Sequence, residues 1–525
     1  LRFNDVPNRN QGPNSSLSNG GDGMDSPFPN RCLCIALLVL VVTPIEAMIH
    51  VGYQIKNGLP RGSQSRYMPV AKVGRSHRLP CFSSWDDFMG SVEDLLSASS
   101  QESDPNTLHK ASSQGDWCTI DPNDYADNLV SKSASIQPSP MEEKIIDGRR
   151  VFIKRDDLLR LPGSSISGNK ARKMFFLNQL PVSQFPPCIV SYGGPQSNAM
   201  LALAAVVNYK NRERTTKHNN KAHPPNTTTT ATTATTTSTP IRFVYYTKKL
   251  PRFLRKQASG NLFRALTLGM EIVEVSPKEY QDLFGSDWGG SALPPPNLHP
   301  PAANSLWIPQ GGAHGLAMQG ANQLASELHS WWQEQQRDAA RSLSVVFPGG
   351  TCTTAVLVHH ALQKLEQIDM EVVVVPCVGD AGYAQRQMMA LSAQIGAAPE
   401  NIPHILPAWP ETTTIPSSSS GSSPSSKNGG YFTFGEPDPA ILSVFNHLKD
   451  DHELVLDLVY GAPAWTILLR HWHQPLSPDL SFDPRNPIAG RDIVYVHSGG
   501  LEGINSQLLR YNYKGLIDLK DIQLP

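Results

Sequence analysis

A repeated unit dominates the sequence: a short apolar segment ends at glycines, and a helical pattern follows. Residues 188–192 end at two glycines and are followed by an apolar helical pattern over 199–209. The same order recurs over 343–367. This unit builds parallel sheets, which bind ligands at the carboxyl ends of their strands. The valine-rich run at 371–378 is typical of a strand buried on both faces. The chain is therefore predicted to be an α/β protein with open, mostly parallel twisted sheets flanked by helices.

The remaining elements follow from the same patterns of apolar residues and turn residues. A β-hairpin is predicted over 145–154, with its turn at Asp147-Gly148. Further strands are predicted at 241–246, 271–275, 306–309, 454–460 and 493–497. Helices are predicted at 171–180, at 256–268, from about 310 to 341, and from 464 onward.

Composition limits the function classes. The chain has 525 residues and a formal net charge of -1, with no dense block of lysine or arginine. This balance argues against nucleic acid or an anionic membrane as the main partner. The seven cysteines include no C-x-x-C pair, which favours a reduced compartment and no zinc ribbon.

The first 115 residues do not resemble a packed domain. They are rich in Asn, Ser, Gly and Pro, and their apolar run at 32–42 is shorter than the ~20 residues of a membrane span. The layout of 24–47 is typical of a signal peptide, provided that Met24 is the start. This region is interpreted either as a cleaved targeting segment or as a disordered extension. The expected location is cytoplasmic or organellar, without a stable membrane span.

Two low-complexity segments interrupt the α/β pattern. Residues 219–240 are dominated by threonine and residues 417–430 by serine. Each lies between predicted elements, so both are interpreted as solvated loop insertions and not as domain boundaries.

Residues 164–173 place Lys170 directly after a small, flexible run and at the start of a predicted helix. A lysine held on a rigid helix start, beside a thin loop that a ligand can approach, suits Schiff-base chemistry. The alternative is a surface helix with a basic first turn.

The turn Gly349-Gly350-Thr351 follows a predicted strand and precedes a helix. Glycines there let backbone N–H groups converge on an oxyanion, which the helix N-terminus also attracts. The turn is neither a P-loop nor a dinucleotide fingerprint, so a lone phosphate on a small cofactor fits better than a nucleotide. The alternative is a plain turn.

Gln196, Ser197 and Asn198 lie at the start of the helix after the first glycine turn. Ser197 suits a nucleophile, a clamp for a substrate carboxylate, or an N-cap, and these roles are compatible. Asn198 suits a donor to a ring oxygen. A lysine, a phosphate cradle and a polar clamp on one α/β scaffold predict a pyridoxal 5′-phosphate site.

Five motifs together resemble those of the 1-aminocyclopropane-1-carboxylate (ACC) deaminase / D-cysteine desulfhydrase family, which belongs to the tryptophan synthase β-like (fold type II) pyridoxal phosphate enzymes. They lie at 167–173 (Ser-Gly-Asn-Lys-Ala-Arg-Lys), 192–198 (Tyr-Gly-Gly-Pro-Gln-Ser-Asn), 308–312 (Ile-Pro-Gln-Gly-Gly), 348–351 (Pro-Gly-Gly-Thr) and 497–500 (His-Ser-Gly-Gly). The resemblance runs from about 144 to 516.

The resemblance implies two open sheets with the cofactor between them, and a homodimer. The implied large, cofactor-binding domain comprises 116–172 and 310–525, and the implied small, substrate-side domain comprises 173–309.

The resemblance also implies roles for single residues. Lys170 attaches the cofactor covalently and is catalytic, together with Ser197 and Tyr460. Further cofactor contacts are implied for Asn198, Gly349, Gly350, Thr351 and Ser498. Substrate contacts are implied for Gln196, Ser197 and Asn198.

Three departures bear on the choice of reaction. ACC deaminases carry Glu and Leu where this chain has Gly461 and Ser498, and a family tyrosine is replaced by Phe434. Without a carboxylate at the pyridine nitrogen the ring is a weaker electron sink. A weaker electron sink still suits β-elimination, in which a thiolate leaves readily, but is less suited to opening a cyclopropane ring. The expected activity is D-cysteine desulfhydrase, with ACC deaminase or a non-catalytic cofactor-binding protein as alternatives.

The histidine pairs at 359–360 and 471–473 have spacings that do not suit a metal site. No metal site is predicted from the sequence.

Overall fold

The computed structural model describes residues 117–118, 120, 137–161, 163–221, 239–256, 258–285, 293–335, 342–365, 369–409, 430–472, 486–518 and 520. All of them belong to one compact unit within Met89–Pro525. The extension over 1–115, with the targeting segment predicted near 24–47, lies outside the described residues, as do most of both insertions. Among the described helices, none has the length and apolar character that crossing a bilayer requires.

Among the described residues, one sheet has five strands, all parallel to their neighbours. Its strands are β1 (Trp117–Cys118), β4 (Cys188–Tyr192), β5 (Arg242–Lys248), β6 (Glu271–Val275) and β7 (Ser305–Trp307). Their order across the sheet is β1-β7-β4-β5-β6.

In the part of the chain that the structure describes, the second sheet has six strands and is mixed. Its strands are β2 (Met141–Ile146), β3 (Arg149–Lys154), β8 (Leu343–Gly349), β9 (Met370–Pro376), β10 (His404–Ile405) and β11 (Asp492–Val496). Their order is β10-β9-β8-β11-β3-β2, and β2, the first half of the predicted hairpin, runs antiparallel to β3 at one edge.

Helices follow and connect these strands. In chain order the described α-helices are α1 (Asn169–Gln179), α2 (Asn198–Lys221), α3 (Arg252–Lys256), α4 (Gly260–Thr267), α5 (Pro277–Phe284), α6 (Met318–Gln335), α7 (Thr353–Leu362), α8 (Ala381–Gln394), α9 (Pro439–His452), α10 (Gly461–Trp472) and α11 (Ile504–Tyr513).

Both sheets bury both of their faces. Successive residues of β4, Ile189 and Val190, enter different apolar clusters on opposite sides of the five-stranded sheet. Val345 and Val346 of β8 do the same in the six-stranded sheet. Side chains alternate along a strand, so a strand covered on both faces needs apolar residues at every position. This explains the continuous apolar runs in the sequence and confirms the predicted fold class.

One predicted element is wrong. Residues 454–460 are not a strand, because the Asp457 carboxylate accepts three N–H groups and turns the chain into α10. The helix predicted over 256–268 is present but shorter, as α4, and only Lys256 of that range lies in α3. Helix α4 begins at Gly260, which takes a left-handed φ of 60°, a conformation that glycine adopts without strain.

Other elements differ in extent. The helix predicted to reach 341 is described as α6 up to Gln335, and two 3₁₀ turns, Gln310–Gly312 and Gly315–Ala317, precede it. Helices α8, α9 and α11 had no counterpart in the sequence patterns. The implied division into large and small domains stays a prediction; its boundary at 172–173 falls inside α1.

Candidate active site

Lys170 lies in the first turn of α1, against the loop that follows β11. The backbone N–H of Asn169 donates to the Ser498 carbonyl at 2.9 Å. Gly168 has a φ of 64°, and a Cβ there would lie 2.6 Å from the same carbonyl oxygen. Only glycine fits so close an approach. The small run before Lys170 therefore packs backbone against backbone.

A buried ion-pair network holds the start of α1. Arg172, two residues after Lys170, donates to both carboxylate oxygens of Asp156, at 2.6 and 2.7 Å. It also pairs with Glu327 of α6 at 2.8 Å, and Glu327 in turn pairs with Lys154 at 2.7 Å. Such bidentate, charge-assisted contacts fix orientation as well as position. They orient the helix turn that carries Lys170.

Lys170 is placed deep in the protein but keeps part of its surface accessible. Among the described residues its amine has neither a hydrogen bond nor an ion pair. Burial lowers the pKa of Lys170, while the nearby charges of Asp457 and Glu502 partly oppose that shift. An amine in this environment is neutral more often than a surface lysine and is therefore a better nucleophile and base.

Asp457 is a site residue that the sequence analysis did not single out. Its two carboxylate oxygens accept the N–H groups of Val459, Tyr460 and Gly461 at 2.7–2.9 Å, which caps α10. Burial raises the pKa of the Asp457 carboxyl despite these hydrogen bonds. The carboxylate lies close enough to Lys170 to act on its charge.

The glycine turn ends β8 and leads into α7. Cys352, directly before α7, has a left-handed φ of 53°, and Thr351 and Thr353 share a hydrogen bond of 2.8 Å. Thr354 donates to Asn169 Oδ1 at 2.8 Å, which joins the first turn of α7 to the first turn of α1. The turn predicted to cradle an anion therefore lies beside the predicted lysine.

A second lysine, Lys173, lies next to this turn. Its amine donates to the Gly311 carbonyl at 3.0 Å, and a Cβ on Gly311 would lie 2.8 Å from Thr351 Cγ2. Burial and the neighbouring charge of Lys170 hold the pKa of Lys173 well below its usual range. No carboxylate pairs with Lys173 among the described residues. A buried amine without a paired anion favours binding of an anionic group, which stabilises its charged form.

The Gln196–Asn198 segment is tied to the start of α4. Gln196 donates to the Ser259 carbonyl at 2.9 Å and accepts the N–H of Asn261 at 2.9 Å. The Asn261 amide donates to Asn198 Oδ1 at 2.6 Å. Asn198 Nδ2 then lies 3.1 Å from the place that a Cβ on Gly500 would occupy. Asn198 is thus oriented toward the 497–500 loop, whereas the side chain of Gln196 is engaged with protein groups.

Ser197 serves as an N-terminal cap. Its hydroxyl accepts the N–H of Met200 at 3.3 Å, one turn into α2, and it also lies close enough to the Tyr245 phenol to hydrogen-bond with it. The capping interpretation fits this geometry, and the catalytic and substrate-binding roles of Ser197 stay predictions.

Tyr460 closes the other side of the glycine turn. A Cβ on Gly350 would lie 2.9 Å from Tyr460 Cε1, so position 350 has no room for a side chain without a shift of the ring. Burial raises the pKa of Tyr460 far above its ordinary value, so its hydroxyl stays protonated. The ring of Phe434 lies 5.4 Å from that of Tyr460, which places this departure from the family pattern at the site.

The five sequence motifs therefore meet in one region. Gly168 contacts Ser498, Asn198 approaches Gly500, and Gly311 contacts Thr351. The roles of the individual residues stay predictions. Asp457 was missed as a site residue because only the fold brings it close to Lys170. Lys173 lies in the 167–173 motif, one helical turn after Lys170, but the motif gave it no role.

Comparisons with known proteins agree with the motifs. No protein-family model matches the chain. A putative ACC deaminase of Thermotoga maritima is 31% identical over 153 residues, which is 28% of this chain and 37% of that protein. The bifunctional D-cysteine desulfhydrase/ACC deaminase of Arabidopsis thaliana, described as mitochondrial, is 28% identical over 182 residues, which is 35% of this chain and 37% of that protein.

A solved structure described as an ACC deaminase homologue has a TM-score of 0.46 and 17% identity, covering 76% of this chain and 100% of that chain. A likeness of this degree says nothing about substrate. The chain spans 37% of the length of the curated relatives it matches. Over that span the chain is similar to ACC deaminases and D-cysteine desulfhydrases, which confirms the resemblance predicted from the five motifs.

Proposed function

We propose that this chain is a pyridoxal 5′-phosphate-dependent lyase that acts on a small amino acid, with D-cysteine as its preferred substrate. The products would be pyruvate, sulfide and ammonia. The observation that carries the proposal is the Lys170 amine, which is deeply placed, has a lowered pKa and has no hydrogen-bond or ionic partner among the described residues.

The surrounding groups fit this cofactor. The N–H groups of the 349–351 turn and the N-terminus of α7 suit a phosphate, which would give Lys173 the counter-charge it lacks among the described residues. Asn198 suits the ring oxygen. The Ser498 hydroxyl, which has no hydrogen bond to another described residue, suits the pyridine nitrogen. When bound, pyridoxal phosphate supplies an aldehyde carbon for the lysine and an electron-withdrawing ring.

The chain's own residues would then bind the amino acid and move its proton. The start of α2, with the N–H groups near Ser197, suits the substrate carboxylate because a helix N-terminus attracts anions. The neutral Lys170 amine would take the α-proton at Nζ, and its lowered pKa leaves a larger neutral fraction to act as a base than an ordinary lysine has. The Tyr460 ring would help to exclude water beside Gly350.

The preference for D-cysteine over ACC rests on three residues. Ser498 offers a hydroxyl and not a charge to the pyridine nitrogen. Gly461 N–H donates to the Asp457 carboxylate at 2.9 Å as part of a helix cap. Position 461 therefore contributes a backbone N–H and no side-chain carboxylate. Phe434 lies against Tyr460 without a hydroxyl. All three favour β-elimination of a good leaving group. The homodimer that the resemblance implies stays a prediction.

The test is a substrate panel on the full chain supplied with pyridoxal phosphate. D-cysteine, L-cysteine and ACC are each incubated with the protein, and sulfide, pyruvate and 2-oxobutanoate are measured. Sulfide and pyruvate from D-cysteine, absent in Lys170→Ala, support the proposal. 2-Oxobutanoate from ACC at a higher kcat/KM would establish the alternative, an ACC deaminase. Cofactor binding without any turnover would show a non-catalytic binding protein.

A further inference from the structure

Three side chains with metal-ligating atoms meet at the tip of the β2–β3 hairpin. Asp147 lies in the hairpin turn, and His447 and His452 lie in the last two turns of α9. Asp147 Oδ1 is 2.9 Å from His447 Nε2 and 3.7 Å from His452 Nε2. The three ligand atoms all lie within 4.8 Å of one another.

The local backbone places these groups. Asp147 and Gly148 have φ values of 48° and 76°, which is the type I′ turn that a two-residue hairpin favours. Helix α9 ends when Glu453 takes a left-handed φ of 52°. The rings of His447 and His452 consequently lie 5.0 Å apart and nearly perpendicular, at 88°. Both histidines face the hairpin.

His452 carries an unsatisfied group. Its Nε2 is buried and has no hydrogen-bond partner among the described residues, and 3.7 Å is too long for a hydrogen bond to Asp147. A buried polar atom without a partner costs about 1–3 kcal/mol. A cation between His452 and Asp147 would remove that cost.

The distances from Asp147 to the two histidines suit a tetrahedral site. Zinc bonds of about 2.0–2.1 Å to nitrogen and oxygen place neighbouring ligand atoms about 3.3 Å apart. The separations of 2.9 and 3.7 Å lie on either side of that value. An open depression of about 330 Å³ borders His452 and Asp451.

A further carboxylate orients one ligand. His447 Nδ1 lies 2.8 Å from Asp451 Oδ2, and a carboxylate in that position holds the proton on Nδ1 and leaves Nε2 for the metal. A metal ligand must be unprotonated, so protons compete with the metal for the histidine nitrogens at low pH.

We propose that Asp147, His447 and His452 bind a divalent transition metal of the zinc type, with water as the fourth ligand. Two imidazoles favour such a metal over calcium or magnesium. The metal ties the hairpin at the edge of the six-stranded sheet to the end of α9. The sequence predicted no metal site because Asp147 and His447 are separated by 300 positions.

The experiment titrates the chelator-treated full chain with ZnCl₂ by calorimetry and records thermal melting with and without zinc. We expect one site per chain that raises Tm and weakens as the pH falls. Asp147→Asn and His452→Gln should each lower the affinity more than about tenfold, and Asp451→Asn about tenfold. Asn tolerates the left-handed turn, so Asp147→Asn should fold.

His404→Gln is the matched control, because His404 also lies beside a carboxylate, that of Glu371 at 3.3 Å, but outside the proposed site. It should retain the zinc affinity of the unaltered protein. Cobalt in place of zinc should give the intense visible bands of a tetrahedral site, and these should disappear in His452→Gln. Equal zinc affinity in the unaltered protein, Asp147→Asn and His452→Gln would overturn the proposal.

Discussion

The backbone N–H of Asn169 donates to the Ser498 carbonyl at 2.9 Å, which fixes the residue before Lys170 to the loop after β11. Ser498 therefore sits beside the lysine through its main chain, while its hydroxyl remains without a partner among the described residues. Backbone contacts of this kind survive side-chain substitution. The roles of Lys170 and Ser498 are consequently open to direct mutational tests.

Lys170→Ala should abolish cofactor attachment and lower turnover by at least about a thousandfold, because it removes both the attaching amine and the base. Visible absorbance of the protein with pyridoxal phosphate, followed by borohydride reduction and peptide mass analysis, checks the attachment. Lys256→Ala, at the end of α3, is the control and should leave both unchanged. Reduction that labels another lysine in the unaltered protein would contradict the role of Lys170.

Lys173→Met should weaken cofactor binding by about 10–100-fold, because a charge-assisted contact contributes about 1.5–3 kcal/mol. The same change should alter the stability of the cofactor-free protein little, because loss of the hydrogen bond to the Gly311 carbonyl is offset by removal of a buried amine whose charged form is disfavoured. Spectroscopic titration measures the first effect and urea unfolding the second. An unchanged affinity for pyridoxal phosphate would place the phosphate elsewhere.

Asp457→Asn should shift the pH dependence of cofactor attachment to lower pH. The Asp457 charge raises the pKa of Lys170, so its removal lowers that pKa further and increases the neutral fraction at a given pH. The rate of attachment is measured at roughly unit steps from about pH 6 to 10, a range that reaches the ordinary pKa of lysine. Its inflection should lie at lower pH in Asp457→Asn than in the unaltered protein.

Asp438→Asn is the control for this shift, because Asp438 also caps a helix, α9, by accepting the N–H of Ala440 at 2.8 Å. It should leave the inflection in place. If the inflection in Asp457→Asn lies at the same pH as in the unaltered protein, or at a higher pH, Asp457 does not raise the pKa of Lys170.

Ser498→Leu together with Gly461→Glu should raise the ratio of ACC to D-cysteine turnover. The structure adds a cost: a Cβ at Gly461 would lie 3.0 Å from Leu456 Cβ and 3.1 Å from Asp457 Oδ2. Crowding of this kind destabilises by about 1–3 kcal/mol. Values of kcat/KM for both substrates test the specificity, and urea unfolding tests the cost. Gly461→Ala separates crowding from charge. A substrate ratio that does not move would locate specificity at other residues.

Local sequence patterns predicted the fold class because a strand that is buried on both faces has a continuous run of apolar residues. Strand β4 has the predicted bounds, and so does β6. The order of strands could not be predicted, since register and crossovers depend on pairing between distant segments. The false strand at 454–460 has the same apolar composition as a real one. A single side chain, Asp457, turns that segment into a helix start.

Motifs identified the site region because their glycines and polar residues stand in a recognisable order. They include Lys173, one helical turn after Lys170, but gave it no role, and they did not identify Asp457, which only the fold brings close to Lys170. They also gave the side chain of Gln196 a substrate role, while the structure engages its amide with Ser259 and Asn261. Helix capping explains Ser197 without reference to any ligand.

The pairing of β1 with β7 has a practical consequence for protein engineering. Trp117 and Cys118 add an outer strand to the five-stranded sheet, and Trp117 packs edge-on against Trp307 at 6.0 Å. A shortened protein that begins at 137 would leave the N–H and C=O groups of Ser305–Trp307 open to strands of other molecules. A protein that begins at 116 keeps β1 and therefore keeps the edge of β7 paired. A protein that begins at 137 lacks β1 and should self-associate.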